Sequence, residues 1–515
     1  MFIYLKTFLN VLKRRYLFVV VVLIFLLGFA LRAQELISHN FLFLFDQGRD
    51  MMVVKGILYD HHLTLLGPST SLRGVFQGPL WYYLLALSTG IFGGDPWGGI
   101  VLMVVISIGV LIVAYFWMKN LFGEKTAIVT LFLFSVSSEA IAAATYAWNP
   151  HPMWFLVTIY IFTFYSLIYK SNRFNLILWS IIGLMFHFQT ALAVFILLAT
   201  SIYILIFRRK IIFNRNFIIG IGLFLFTFSP QILFDIRHDF LMSKSALSLF
   251  AGSEQGLLVG GESSRYADLI KGHFLSFYEN FRSAFINDGF AKYIPNIFIV
   301  IILSSVIFAY RKEAFLAKEY NFVSLIGRLL LIIFLLSFAY PFPLRYWFLT
   351  GFQSFYLIIL GLILSKLLNN RLSMFVIIFI FAILTFYSLQ RINLLYFNPP
   401  NDGGFSKIKG KLAATAHIYN DSKNKPFGLL VFTPPVYTYV YDYLIWWYGK
   451  KNYNYIPHGE KKGTFYLLME PDPHKPWSYK GWLETVIKTG TILETKELPS
   501  GFIIQKRYVE QKNKI

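Results

Sequence analysis

The chain has 515 residues, of which 57% are hydrophobic and only 14% are charged, whereas an average soluble domain has about 25% charged residues. This composition is typical of a polytopic membrane protein with some soluble sequence, and it excludes an ordinary soluble enzyme. Much of the net charge of +21 lies in short loops between apolar segments, where Lys and Arg set topology, so it does not indicate nucleic-acid binding. The absence of cysteine excludes disulfides and thiolate catalysis.

Apolar segments long enough to cross a bilayer recur along the first 390 residues. A helix needs about 20 apolar residues to span the hydrocarbon core. The predicted spans are 16–32, 99–118, 126–144, 153–169, 174–188, 189–207, 216–234, 293–310, 325–341, 345–365 and 373–390. Segment 79–93 is apolar but short, so we expect it to lie in the membrane interface. The sequence therefore predicts a polytopic α-helical membrane protein with about 11 transmembrane helices plus interfacial helices.

The loops between these spans differ in charge and in chemistry. With the N-terminus in the cytoplasm, every loop expected inside carries Lys or Arg, as the positive-inside rule requires. The opposite loops hold the unusual polar residues: the first external loop (33–98), the turns at 147–152 and 341–347, and a long external loop (235–292). The long loop contains a Gly/Ser-rich stretch and acts either as a lid or as a plain connection. This distribution predicts a single extracytoplasmic site.

The composition changes after Gln390. A run of Asn, Pro, Asp and Gly predicts a linker at 393–404 between a transmembrane domain (1–392) and a soluble domain (405–515). In the soluble domain the sequence pattern predicts helices at 405–422 and 482–490 and strands at 427–433, 464–470 and 501–507. We therefore expect a small C-terminal α/β extracytoplasmic domain.

Three charged residues, Asp46, Arg49 and Asp50, follow the first span in the segment FDQGRD. Asp46 and Asp50 are four residues apart, so on a helix they share a face, and Arg49 can pair with either. A carboxylate this close to a bilayer is costly unless it has a partner or a function. Either one carboxylate accepts a proton from an incoming hydroxyl while Arg49 orients it or binds phosphate, or the three residues form a solvated salt bridge. Asp46 is the leading catalytic candidate.

The layout of residues 1–390 resembles the GT-C superfamily of membrane glycosyltransferases. It is most similar to the bacterial branch of the protein O-mannosyltransferase-like family, which includes the aminoarabinose lipid A transferases. The matching segments are FDQGRD (45–50), FQGPLWYY (76–83), YAWNP (146–150) and PLRYW (343–347). The resemblance implies a polyprenyl-phosphate sugar donor and an inverting displacement at the external membrane face. It also implies that Asp46, in the first loop, activates the acceptor.

The same resemblance implies that Arg345, beside Tyr346, contacts the donor phosphate. The alternative for Arg345 is an interfacial arginine whose head group snorkels to water. Three positions depart from the family pattern. Gln47 stands where an acid is common, which speaks against a metal at that pair; Gly78 replaces a lysine found before the proline, and Asn149 replaces a second aspartate.

Further residues are candidates for contact with substrate or phosphate, namely Arg73, Gln77, Tyr83, Asn149 and His187. His187 lies between two apolar runs and either binds phosphate or metal or caps a helix end. Tyr83 and the neighbouring aromatic residues either bind sugar faces or belong to the aromatic belt at the interface. The acids and His238 at 235–239 either bind a cation or form a local charge cluster.

These features predict an integral-membrane inverting glycosyltransferase that moves a sugar from a polyprenyl-phosphate donor to a hydroxyl of a lipid, glycan or protein. Asp46 is the general base, with Asp50 in support. Participation of a divalent cation stays open, and no organic cofactor is expected. The expected location is the cytoplasmic membrane, with the N-terminus inside and the C-terminal domain outside. The alternatives are a lipid-linked glycan transporter or flippase, and a glycan polymerase or ligase that uses a pyrophosphate-linked donor.

Overall fold

The computed structural model describes residues 2–251, 266–286, 288–312, 316–397, 404–423, 425–434 and 436–510. The Gly/Ser-rich part of the predicted lid or connection, at 252–265, and half of the predicted linker, at 398–403, lie outside the described residues.

Helices account for most of the first 397 residues. In chain order they are α1 (Phe2–Ser38), α2 (Phe45–Tyr59), α3 (Leu80–Ile91), α4 (Trp97–Phe122), α5 (Glu124–Val136), α6 (Ser138–Thr145), α7 (Met153–Tyr169), α8 (Phe174–Met185), α9 (Thr190–Phe207), α10 (Arg215–Arg237), α11 (Leu241–Ala251), α12 (Tyr266–Ser283), α13 (Ile294–Lys312), α14 (Ala317–Ser337), α15 (Gln353–Leu367) and α16 (Arg371–Tyr396). Their buried faces are lined mainly by Leu, Ile, Phe, Val and Ala, which form one continuous core.

Six helices within the described ranges are long and apolar enough to cross a membrane, or seven if the bent pair α5 and α6 forms one span. The six are α1 from Arg15 onward, α4, α9, α10, α14 and α16. Shorter apolar helices cover Leu80–Ile91, Met153–Tyr169, Phe174–Met185, Gly289–Ser305 and Gln353–Leu367. The chain is therefore a multi-pass membrane protein.

The span predicted at 345–365 is not one continuous helix. Tyr346–Leu349 form a single 3-10 turn, and α15 begins only at Gln353. Gly351 lies between them with φ +84°, where a side chain would also meet the backbone of Met153. The chain therefore turns here, and this turn lies beside the YAWNP segment.

The break between α5 and α6 positions the YAWNP segment. The two helices are bent by 57° at Ser137, whose hydroxyl accepts a hydrogen bond from the backbone of Ala140. Arg32, fully buried in α1, donates to the backbone oxygens of Phe134 and Ser135 at 2.9 Å. These bonds satisfy carbonyl groups that the broken helix leaves without intrahelical partners. The bend thus directs α6 toward the polar residues that follow it.

A small sheet with flanking helices forms the C-terminal part. Its elements are α17 (Ile408–Ser422), β1 (Gly428–Phe432), α18 (Tyr439–Leu444), α19 (Lys450–Tyr453), β2 (Gly463–Met469), α20 (Ser478–Trp482), β3 (Thr491–Glu497) and β4 (Ile503–Val509). The strand order is β1-β2-β4-β3, with β1 and β2 parallel and the other pairs antiparallel. Three strands occur where the sequence predicts them, whereas β3 and α18 are not predicted.

Helix α18 packs directly against α2. At Gly48 of α2, a Cβ atom would lie 2.5 Å from the backbone nitrogen of Val440, so only glycine allows this approach. Nearby, Trp447 donates its indole hydrogen to the carbonyl of Gly93 at 3.0 Å, and the Tyr443 hydroxyl bonds to Gly94. The C-terminal part therefore holds α2 and the loop after α3 from one side.

Candidate functional site

The start of α2 brings Asp46, Arg49 and Asp50 together. Gln47 closes the first turn of the helix by accepting from the backbone of Leu44 at 2.9 Å. Arg49 lies between the two acids, with Nη1 2.8 Å from Asp46 and Nη2 2.7 Å from Asp50. Its Nε also donates to Asp50 at 2.9 Å. The Arg49 guanidinium is thus paired with a carboxylate on each side. This pairing favours a role for Arg49 in orienting Asp46 over direct binding of phosphate.

The two aspartates have different environments. The side chain of Asp50 is only 1% exposed, and it also accepts from the Trp81 indole at 2.7 Å. Burial raises the pKa of Asp50 to about 6, although Arg49 and Trp81 favour its charged form. Asp46 is 31% exposed, with Arg49 as its ion-pair partner. Asp46 is therefore the carboxylate that a substrate can reach, and Asp50 is placed to position Arg49.

Asp46 and Arg49 lie at the wall of a cavity of about 420 Å³. Polar and aromatic side chains also line the cavity, including Gln77, Trp148, Asn149, Gln189 and Trp347. Further lining comes from residues 68–72, from apolar residues of α9, and from the end of α14 with the residues just after it. The lining of the cavity therefore contains carboxylate, polar and apolar side chains.

A hairpin before α3 forms another wall of this cavity. Gly67 and Gln77 pair through their backbones at 2.8 Å, and residues 68–72 line the cavity. The amide of Gln77 accepts from Asn149 at 2.7 Å, and Asn149 also donates to the carbonyl of Phe188 at 3.1 Å. The structure thus brings two of the predicted residues, Gln77 and Asn149, to the cavity as a bonded pair.

His187 lies behind this wall and does not line the cavity. Its Nδ1 accepts from the backbone of Leu80 at 3.2 Å, and its Nε2 lies 2.7 Å from the carbonyl of Thr227. Both nitrogens are therefore used to join α3 to α10. A Cβ atom at Gly78 would lie 2.2 Å from His187 and 2.6 Å from Gln231, so the space of the lysine seen in relatives is filled here.

The remaining predicted residues lie around the cavity rather than in its wall. Arg345 is half-buried over the Trp347 ring at 5.8 Å, and Tyr346 is 72% exposed beside it. Arg73 is exposed at the tip of the hairpin. The Tyr83 hydroxyl bonds to both backbone groups of Thr64 and thereby fixes the loop before the hairpin. Arg345 and Arg73 therefore do not line the cavity, although Arg345 contacts Trp347 and Arg73 follows Leu72, both of which do. Tyr83 is used structurally.

Three features of the site are not evident from the sequence. Trp81 reaches Asp50 from a helix predicted only as an interfacial segment. Gln189 donates to the carbonyl of Trp347 at 2.8 Å and so fixes the turn beside Arg345. Asp235 caps α11 through the backbone of Met242 at 2.6 Å and is therefore not free to bind a cation. Over the described ranges no three His, Asp or Glu side chains cluster as metal ligands.

Comparisons with known proteins give a partial family match and a similar fold. The sequence model of the family described as dolichyl-phosphate-mannose-protein mannosyltransferase matches residues 77–234, about a third of the chain. No curated protein sequence matches the chain. The matched range contains two of the segments that carry the resemblance noted above, most of FQGPLWYY and all of YAWNP.

Solved structures give the fold. The chain is similar to ArnT from Cupriavidus metallidurans bound to undecaprenyl phosphate, with a TM-score of 0.55 and 11% identity over 95% of this chain and 98% of that one. The apo form of that ArnT gives the same score and identity over 96% and 98%. The apo oligosaccharyltransferase of Archaeoglobus fulgidus is 12% identical, with a TM-score of 0.40 over 87% and 65%. The likeness to ArnT covers both the helical and the C-terminal parts.

Proposed function

We propose that this chain is a membrane glycosyltransferase of the GT-C superfamily, because a mannosyltransferase family model matches residues 77–234 and the fold is similar to that of ArnT. It transfers a sugar from a polyprenyl-phosphate donor to an acceptor hydroxyl, with inversion at the sugar. The reaction takes place at the extracytoplasmic face of the cytoplasmic membrane. The N-terminus lies in the cytoplasm, and the C-terminal domain lies outside beside α2. Because sugar transfer accounts for the site, we do not propose the alternative of a lipid-linked glycan transporter or flippase.

One observation carries the proposal. Asp46 is the accessible member of a carboxylate–arginine–carboxylate cluster, and it lines a cavity whose lining also includes apolar residues of α9. Arg49 holds Asp46 in one orientation, and Asp50, which accepts a hydrogen bond from Trp81, holds Arg49. A base fixed in this way meets the geometric requirement for accepting a proton from a bound hydroxyl.

The chemistry needs one base and a way to stabilise the leaving phosphate. The acceptor oxygen forms a bond to the anomeric carbon as the bond from that carbon to the phosphate oxygen breaks, and the hydroxyl proton goes to Asp46. The electron pair leaves with the polyprenyl phosphate, which needs no proton if cations neutralise its charge. Attack from the face opposite the phosphate inverts the anomeric configuration.

Arg345 and Arg73 are the cations we assign to the phosphate. Neither lines the cavity, but Arg345 lies over the Trp347 ring and Arg73 follows Leu72 in the chain, and both Trp347 and Leu72 are part of the cavity wall. Arginine suits this task because its guanidinium can donate two parallel hydrogen bonds to phosphate oxygens. The undecaprenyl phosphate bound by ArnT is a compound of the required class. In this chain the apolar lining from α9 and α14 would receive the polyprenyl chain.

The test is transfer of a radiolabelled sugar from a polyprenyl-phosphate donor in membranes that contain the wild type or Asp46→Asn. We expect transfer to fall by about 10²- to 10⁴-fold in the variant, the range typical of a lost general base. Asp60→Asn is the matched control, because Asp60 lies at the other end of α2 and pairs with Lys55 away from the cavity. Equal transfer by Asp46→Asn and wild type would remove Asp46 from the mechanism.

The donor class is tested in the same assay. The same sugar is supplied on a polyprenyl monophosphate and on a polyprenyl pyrophosphate. Consumption of the monophosphate alone supports the proposal. Consumption of the pyrophosphate alone would instead identify a polymerase or ligase that uses that donor.

A further inference from the structure

A second group of aromatic rings lies beside Asp46, on the side formed by the C-terminal part. Phe45 is the first residue of α2, and Tyr439 is the first residue of α18. The Phe45 ring lies 5.8 Å from Tyr437 and 5.5 Å from Tyr439, measured between centroids. The two tyrosine rings are nearly parallel, with an interplanar angle of 4° and centroids 5.5 Å apart. We call these three residues the tyrosine platform.

The platform is open to solvent. Tyr437 is 60% exposed, and the side chains of Phe45 and Tyr439 are only half-buried. A short turn presents Tyr437, because the hydroxyl of Thr433 donates to its carbonyl at 3.1 Å. No member of the platform lines the 420 Å³ cavity. A molecule on the platform would therefore approach Asp46 from outside the cavity.

The charges around the platform indicate what binds there. Asp46 follows Phe45 directly, and the exposed Asp442 lies one turn along α18 from Tyr439. The carboxylate of Asp442 accepts from the hydroxyl of Thr438 at 3.0 Å and has oxygen capacity left. Anionic lipid head groups would be repelled by Asp442, and Arg49 beside Asp46 already pairs with two carboxylates. A neutral molecule with apolar faces and several hydroxyl groups matches both the rings and the acids.

We propose that the tyrosine platform binds a sugar ring of the acceptor, so that the acceptor of this enzyme is a saccharide. The apolar C–H face of a sugar would stack on the rings, and its hydroxyl groups would bond to Asp442 and the phenol oxygens. A second sugar unit would then extend past Phe45 toward Asp46. This inference rests on the proposed function in taking Asp46 as the base that activates the acceptor.

The experiment is calorimetric titration of the full-length chain in detergent, without donor. The probes are cellotetraose, chitotetraose and an α-1,6-linked mannotetraose, with a Ser/Thr-rich peptide of equal mass and phosphatidylglycerol vesicles as competing classes. We expect at least one tetrasaccharide to bind, and Tyr437→Ala to raise its Kd about three- to tenfold, the size of one lost aromatic contact. Tyr437→Phe should raise the Kd less than Tyr437→Ala, because the ring is kept and only the phenol hydroxyl is lost.

Matched variants separate the possible outcomes. Trp477→Ala removes an equally exposed aromatic residue of the C-terminal part that makes no contact with the platform, and it should leave the Kd unchanged. Asp46→Asn should lose transfer while still binding the tetrasaccharide, and adding Tyr437→Ala to it should raise the Kd by the same factor as in the wild type. The inference is overturned if no tetrasaccharide binds, if Tyr437→Ala binds normally, or if only the peptide or the vesicles respond to Tyr437→Ala. Retained transfer by Asp46→Asn would instead contradict the proposed function.

Discussion

Two clusters of buried charge in this molecule have similar contents but different surroundings. Near the cavity, Arg49 joins Asp46 and Asp50. In the C-terminal part, Lys411 lies 3.1 Å from Glu470 and 3.3 Å from the Tyr441 hydroxyl, which itself donates to Glu470. Every charge in both clusters has a partner, as buried charges require.

The difference lies in access to solvent. Lys411 is 1% exposed and Glu470 12%, and neither lines the 420 Å³ cavity. Asp46 is 31% exposed in the cavity wall. A buried ion pair is thus no sign of chemistry by itself, and the cluster with a reachable carboxylate is the one to test for catalysis. The C-terminal cluster joins α17, α18 and the end of β2, which is a structural task.

The largest effect should follow from removing Arg49, the cation that Asp46 and Asp50 share. Arg49→Met leaves Asp50 buried without its ion-pair partner, which costs about 3–5 kcal/mol of stability. It also frees Asp46 from its fixed orientation, so we expect transfer to fall by at least about a hundredfold, as for loss of a positioned base. Denaturant unfolding and initial transfer rates measure the two effects.

Lys55→Met is the control for this change, because Lys55 also lies on α2 but pairs with Asp60 away from the cavity. It should leave both stability and transfer nearly unchanged. Normal transfer by Arg49→Met would show that Asp46 needs no orienting partner, and the contrast between the two clusters would then lose its functional meaning.

A change in the cluster of Lys411, Glu470 and Tyr441 should lower the stability of the protein without lowering its transfer rate. Lys411→Met leaves Glu470 without its cation, and we expect a loss of about 3–5 kcal/mol. The transfer rate per folded molecule should stay within about twofold of the wild type, because ordinary changes away from the reacting groups alter neither positioning nor electrostatics there. Unfolding curves and transfer by the folded fraction check this. A hundredfold loss of transfer with intact folding would show that the cluster of Lys411 and Glu470 takes part in the reaction.

Sequence patterns predict the helices and strands better than they predict the contacts between them. The FDQGRD motif and the apolar segments are local features. Most predicted segments coincide with helices, although those at 126–144 and 345–365 are interrupted and only six or seven helices within the described ranges reach spanning length. The contact between Trp81 and Asp50 joins residues 31 positions apart, so the burial that separates Asp50 from Asp46 in role has no local signal. The hydrogen bonds of His187 also have no local signal in the sequence, because its partners Leu80 and Thr227 lie in α3 and α10.

The C-terminal part shows the same limit. Strands β1, β2 and β4 have apolar runs that predict them, whereas β3 has the sequence TILETKE and every residue of it is exposed. Its strand conformation comes from pairing with β4 and not from a buried face. The packing of α18 on α2 brings Val440 to Gly48, nearly 400 residues earlier in the chain. The glycine in FDQGRD is therefore explained only by the fold.

That packing gives the next prediction, of intermediate size. Gly48→Ala places a methyl group 2.5 Å from the Val440 backbone, which must move, and overpacking of this kind costs about 1–3 kcal/mol. Gly56→Ala on the same helix is the matched control, since its nearest contact would be 3.9 Å away. It should be neutral or stabilising by up to about 1 kcal/mol, because alanine favours helix. Equal unfolding curves for the two variants would contradict the close approach of α18.

The smallest effect expected is a pH dependence that belongs to Asp50. Burial raises the pKa of its carboxyl to about 6 in the folded chain, above about 3.9 in an unfolded one. The folded state binds this proton more tightly, so the stability that the group contributes is fully present below about pH 4 and is lost as the pH rises through 6. The transfer rate should rise as the pH rises, because protonated Asp50 no longer holds Arg49 by charge. At pH 5 only about one tenth of Asp50 is ionised, so we expect transfer to fall up to about tenfold between pH 7 and 5. Asp50→Asn should be slower at pH 7 but lack this step, and an identical decline in both proteins would assign the titration to another group.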